Sequence, residues 1–148
     1  MEVSAPNGST LVLAGVRISD AAPAVFRIET GSGPGFAITH LDGTIVSPAY
    51  PAKPGEWLTV YLTGLGAVNG EILAGRPAPL RPLLSASCPV EARIGGRSVT
   101  PAFAGLTPGY AGLYQVNFQV PGDLATGTQQ VQIVACGIAS ETIALPVQ

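Results

Sequence analysis

The chain has 148 residues, the length of a single domain. Hydrophobic residues make up 47% and charged residues 11%, enough apolar material for a core and too little charge for a disordered chain. A net charge of −2, with seven cations scattered along the sequence, excludes the basic patch of a nucleic-acid module, and no apolar run reaches the roughly 20 residues of a membrane-spanning helix.

The N-terminus, Met1-Glu2-Val3-Ser4-Ala5-Pro6, lacks the basic and apolar stretches of a secretory signal. Beyond it, no segment of eleven residues has good helical periodicity. Apolar residues alternate with polar ones, and 19 glycines and 14 prolines punctuate them, which is the signature of an all-β sandwich or barrel. Residues 10–18 read as a first strand and 25–29 as a second. Gly31-Ser32-Gly33-Pro34-Gly35 reads as a flexible loop. Residues 36–40 and 44–46 flank Asp42-Gly43, a hairpin-turn signal. Pro48, Pro51 and Pro54 predict a stiff extended connector. Residues 57–63 then alternate strictly, with Leu58, Val60 and Leu62 on one face and Trp57, Thr59 and Tyr61 on the other. Residues 66–84 are irregular and rich in proline. Residues 89–94 predict a strand that Gly95-Gly96 turns into a second one over 98–103. Tyr114, Val116, Phe118 and Val120 mark the clearest inward face, opposite Gln115, Asn117 and Gln119. Residues 130–135 and 141–147 complete the set, about six strands from Gly55 onward, near the seven of an immunoglobulin domain. The alternation implies two sheets, each with one buried and one wet face.

These segments resemble a family of C-terminal domains first noted in Solibacter and its acidobacterial relatives. The resemblance rests on Ala22-Pro23-Ala24-Val25-Phe26, on Asp42-Gly43-Thr44 with Ser47-Pro48, and on Pro51-Ala52-Lys53-Pro54-Gly55. It continues through Tyr61-Leu62-Thr63-Gly64-Leu65-Gly66, Ile94-Gly95-Gly96 and Phe103-Ala104-Gly105-Leu106-Thr107-Pro108-Gly109. Its strongest part is Gly112-Leu113-Tyr114-Gln115-Val116-Asn117-Phe118-Gln119-Val120-Pro121. The chain from Gly55 is also similar to the immunoglobulin-like domains of plexins and transcription factors, through Gly64-Leu65-Gly66, Gly95-Gly96 and Val120-Pro121. The length gives one domain spanning 1–148. The immunoglobulin-like similarity covers a β-sandwich core of residues 54–148, and residues 1–53 are expected to form a β extension packed on it, because Leu11, Leu13, Val25, Phe26, Phe36, Ile38, Ile45 and Val46 are too apolar to remain in water. The Solibacter-type resemblance implies a terminal module of a larger exported or cell-surface protein, with an export signal upstream of the residues shown and upstream domains as its partners. It carries no catalytic motif, so no functional residue transfers from it.

Chemistry-bearing residues are sparse. His40 is the single histidine and reads as a solvated polar residue beside a turn. No serine sits in Gly-x-Ser-x-Gly. Asp42, Glu56, Glu71 and Glu91 are isolated from one another, with none of the clustering of a metal site, and nine acids supply few pairs for a glycosidase. Gly64-Leu65-Gly66 mimics a dinucleotide loop, but no helix pattern follows it. Lys53, the sole lysine, lies between Ala52 and Pro54, outside any strand where it could form a buried cross-link. The expectation is therefore no enzyme, no cofactor and no metal.

Trp57 and Tyr61 are the candidate glycan contacts, as an aromatic strip that either meets solvent or is covered by the first fifty residues. A cell-surface or matrix glycan is the alternative partner. The domain is expected to be a monomer, with strand exchange open to it because only Arg17 guards the strand at 10–18. Finally, Cys88 opens one strand and Cys136 closes another. The immunoglobulin-like resemblance implies that these strands are antiparallel neighbours, which would bring the two sulfurs within bonding range. The alternative is two reduced thiols in separate parts of the core.

Overall fold

A computed structural model describes residues 2–4, 7–8, 10–12, 15, 18–31 and 33–148. Leu13 and Arg17, part of the expected first strand, lie outside the described residues, as does Ser32. Among the described residues every regular element is a strand. Strands β1 (Glu2–Ser4) and β2 (Thr10–Val12) pair with each other. The sandwich is built from two five-stranded antiparallel sheets.

The first sheet centres on β7 (Trp57–Thr63), which pairs on one side with β11 (Tyr114–Gln119). Strand β10 (Phe103–Leu106) lies beyond β11. On its other side β7 takes β3 (Ala24–Val25) and β6 (Ile38–His40) in succession. The second sheet centres on β12 (Gly127–Ala135), flanked on one side by β8 (Val90–Ile94) and then β9 (Arg97–Val99). Strands β13 (Ile138–Ala139) and β14 (Ile143–Val147) pair with β12 on the other. The alternation of β7 explains its place: Leu58, Val60 and Leu62 are fully buried and meet Val116 and Phe118 on the same face. Ala92, Ile94, Val131, Ile133, Ile143 and Leu145 cover them from the second sheet in one continuous core. Each large side chain buried there contributes roughly 1.5–3 kcal/mol.

The N-terminal segment joins the first sheet in its own plane. Phe26 N–H donates to Tyr61 C=O (3.1 Å) and Tyr61 N–H to Ala37 C=O (2.8 Å), so β3 and β6 act as one edge strand. From that strand a hairpin loops out, formed by β4 (Arg27–Thr30) and β5 (Gly33–Phe36). The stretch expected to be a flexible loop at 31–35 is thus largely strand. Pro34 is tolerated because β5 pairs on one side only, where a missing N–H need cost nothing. Arg27 braces the hairpin, ion-paired to Glu141 at 2.7 Å and lying over the Phe36 ring at 5.2 Å. Val25, Ile38 and Val46 are buried in the common core. Ala52 forms a parallel bridge with Val147, which ties the proline-rich connector to β14.

Two further expectations change. The strand expected over 98–103 is two strands in different sheets: β9 ends at Val99, Pro101 interrupts, and β10 starts at Phe103 in the first sheet. Proline cannot donate to a ladder, so the chain leaves one sheet there and enters the other. Gly64-Leu65-Gly66 is a packing seam. Gly64 and Gly66 have φ of +78° and +89°, and a Cβ on them would lie 2.0 Å from the Ala22 carbonyl oxygen and 2.3 Å from that of Asp20. The seam is closed by Ala22 N–H donating to Gly64 C=O at 2.8 Å. Only glycine lets residues 20–22 press this closely on the end of β7.

Candidate functional site

Side chains alternate across β7, so Trp57, Thr59 and Tyr61 share its outward face. The register with β11 sets Gln119 beside Trp57, Asn117 beside Thr59 and Gln115 beside Tyr61. Phe103 of β10 stands beyond Asn117. An aromatic row thus runs next to an amide row. Residues 24–40 lie beside β7 in the plane of the sheet, and Trp57 keeps 39% of its surface exposed. The two sequence-predicted contacts, Trp57 and Tyr61, do share a face, four residues apart and so about 13 Å along the strand. Gln115 donates to Asn117 Oδ1 at 3.3 Å and Gln119 donates to the Gly55 carbonyl at 2.8 Å. These bonds hold the amide row in a fixed orientation.

Next to Trp57 the face opens into a groove of about 500 Å³, lined also by Arg97, Ser98, Thr100 and Gln119. Its charged neighbours are already paired. Arg97 donates to Asp123, and that hydrogen bond holds the Asp123 carboxyl below its usual range. Ser98 donates to Glu91 at 2.5 Å and Arg93 donates to the other Glu91 oxygen at 2.7 Å, which holds that carboxyl down in the same way. The groove therefore offers an aromatic wall and hydroxyl and amide groups rather than a free charge.

The other polar basin, about 440 Å³, is lined by His40, Asp42, Tyr50, Lys53 and Glu56. His40, expected to be solvated, is instead half-buried and held. Its Nδ1 lies 3.1 Å from Glu56 Oε1, at ion-pair distance though off the line a hydrogen bond requires. Its Nε2 lies 3.2 Å from the Tyr50 carbonyl oxygen. Both ring nitrogens thus lie close to protein oxygens, and the ring is held between the Tyr50 carbonyl and the Glu56 carboxyl. Asp42 accepts from the Thr44 N–H at 2.9 Å and the Thr44 hydroxyl at 2.7 Å, which caps the turn at Gly43 and lowers the Asp42 pKa. Among the described residues no group of three or more His, Cys, Asp or Glu side chains could hold a metal ion.

At the end of the sandwich near Leu65, Cys88 and Cys136 are joined by a disulfide with Cα atoms 5.3 Å apart. Cys88 precedes β8 and Cys136 follows β12, and Val90 and Ala135 are direct partners across the ladder. Cys136 has φ of +51° and Gly137 of +78°, the two left-handed residues of the tight turn that joins β12 to β13. The bridge also fixes the base of the long irregular segment. Ser87 N–H donates to Ala67 C=O and Asn69 N–H to Ser85 C=O, both at 2.8 Å, so the segment leaves and returns at one point. Sequence reasoning placed no site in it. The signal available was leucine recurring among Pro77, Pro79 and Pro82 in a stretch with no strand or helix period.

Comparison with protein-family models, with curated proteins and with solved structures gave no match.

Proposed function

We propose that this chain is a non-catalytic module of an exported or cell-surface protein, serving attachment, display or assembly. The observation that carries the reading is the Cys88–Cys136 bridge. Such bonds persist in oxidising compartments and are rare in a reducing cytosol. The resemblance to Solibacter-type C-terminal domains and to immunoglobulin-like domains points the same way. Among the described residues no helix is long and apolar enough to cross a membrane. An antibody raised against the domain tests the reading on intact cells of the native host. Labelling without permeabilisation supports it, and labelling only after permeabilisation rejects it.

A second reading has its own observation. The aromatic row of Trp57 and Tyr61 is flanked by amides and lies beside, not beneath, residues 24–40. Aromatic faces stack on the apolar faces of sugar rings while amides bond their hydroxyls, so this strip suits a glycan. A glycan array decides it: binding that Trp57→Ala abolishes supports a carbohydrate module, and no binding to any glycan removes it.

A further inference from the structure

The irregular segment between β7 and β8 presents apolar side chains to water from a fixed backbone. Leu73 is 75% exposed, Leu80 73% and Leu83 52%. Tyr110, on the neighbouring turn between β10 and β11, is 59% exposed. These values exceed the 39% of Trp57 on the open sheet face, so these side chains stand clear of the surface. The backbone beneath them is tightly held. Ala78 N–H donates to Tyr110 C=O at 2.9 Å, Gly109 N–H to Ala78 C=O at 2.8 Å, and Leu106 N–H to Leu84 C=O at 2.9 Å. A small core of Ala78, Leu84 and Leu106 supports them from below. Three prolines stiffen the loop further, so little conformational entropy remains to be lost on binding. Long loops without secondary structure in a compact domain are commonly functional.

The arginines of the described residues are paired unevenly. Arg27, Arg93 and Arg97 each pair with a carboxylate. Arg76 and Arg81, both in this loop, pair with none among the described residues. Glu71, in the same segment, lines a groove beside Gly66 at the loop's base. Leucines and a tyrosine that stand clear of the surface, interleaved with two uncompensated arginines, fit a soft anionic interface.

We propose that Leu73, Leu80, Leu83 and Tyr110 enter the interface of an anionic phospholipid bilayer while Arg76 and Arg81 bind its phosphate groups, making this end of the sandwich a peripheral membrane contact. Apolar burial and attraction to anionic headgroups add in such binding. The contact lies apart from the Trp57 strip and does not depend on glycan binding.

Flotation of the intact chain with vesicles tests it, using phosphatidylcholine alone and phosphatidylcholine mixed with phosphatidylglycerol. The chain is expected to float with the mixed vesicles and not with the neutral ones, and added salt is expected to release it. Leu80→Asp is expected to weaken partitioning about tenfold or more. Arg81→Gln is expected to weaken it about fivefold. Trp57→Ala is expected to leave it unchanged. Both loop side chains are exposed, and an unchanged melting temperature confirms that each variant is folded. Absence of binding to either vesicle, equal binding to both, or binding that survives Leu80→Asp and Arg81→Gln overturns the proposal. So does a dimer in light scattering that Leu80→Asp dissolves, since the occupant would then be a second copy of the chain.

Discussion

Gly64→Ala places a methyl group where the Ala22 carbonyl oxygen already lies, 2.0 Å from the new Cβ. The cost has two separable parts. A left-handed φ of +78° penalises any residue with a Cβ by roughly 1–2 kcal/mol. The contact with backbone, which cannot rotate away, forces residues 20–22 off the end of β7 at a cost of about 1–3 kcal/mol. It also endangers the Ala22 to Gly64 hydrogen bond and the buried Ala21. The total of roughly 2–5 kcal/mol is a large share of the 5–15 kcal/mol typical of a domain. Gly96→Ala is the control. Its φ is +80°, but nothing lies within 4 Å of the added Cβ, so it carries the conformational part alone. Urea unfolding of the two variants and the parent chain, followed by fluorescence of Trp57, gives both costs. The account expects Gly64→Ala to lose about 1–3 kcal/mol more than Gly96→Ala. Equal losses would show that residues 20–22 do not press on β7, and would undo the description of the N-terminal segment as part of the sheet.

Replacing both cysteines with alanine releases a loop of 48 residues and is expected to cost about 4 kcal/mol by loop-closure entropy, read from the denaturation midpoint with and without reductant. A chain starting at Lys53 lacks β3, β6 and the buried Val25, Ile38 and Val46, and is expected to aggregate or melt well below the full chain in calorimetry. Arg27→Ala removes an exposed ion pair and is expected to shift stability by about 1 kcal/mol or less in the same assay. Asp123 and Glu91 have folded-state pKa values below their ordinary ones. The stability they supply is therefore present above the ordinary carboxylate pKa and is lost as pH falls through the lowered values. Asp123 is exposed and Glu91 half-exposed, both well screened by solvent, so the urea midpoint is expected to fall only slightly on this account between neutral pH and about pH 3.

What the sequence disclosed followed the burial pattern. Leu58, Val60 and Leu62 alternate because β7 is covered on one face and wet on the other, and the same holds for Val116 and Phe118 on β11. The antiparallel pairing of β8 with β12, and with it the Cys88–Cys136 bridge, was reached through what the immunoglobulin-like resemblance implies; the strands alone left two separate thiols open. Alternation fails where a strand pairs in isolation. Strands β4 and β5 form a two-stranded ribbon, so nothing forces Gly33-Pro34-Gly35 into an apolar period and the segment resembles a loop. It also fails where the chain changes sheets, because Ser98 and Phe103 look continuous until Pro101 is given its full weight. The Trp57 strip was legible as a face, but whether anything covered it depended on the register of β3 and β6 along the edge of β7. The leucines at 73, 80 and 83 carried no legible meaning, because hydrophobicity alone does not distinguish a core residue from one held in water by a stiff loop.

The account rests most heavily on the disulfide as the mark of an exported module. The deciding measurement takes the protein from its native host, alkylates it while unfolded and unreduced, and weighs the peptides that contain Cys88 and Cys136. The account predicts a single cross-linked pair with neither thiol alkylated. Alkylation of both cysteines would contradict it, leaving a reduced protein and no ground for placing it outside the cell.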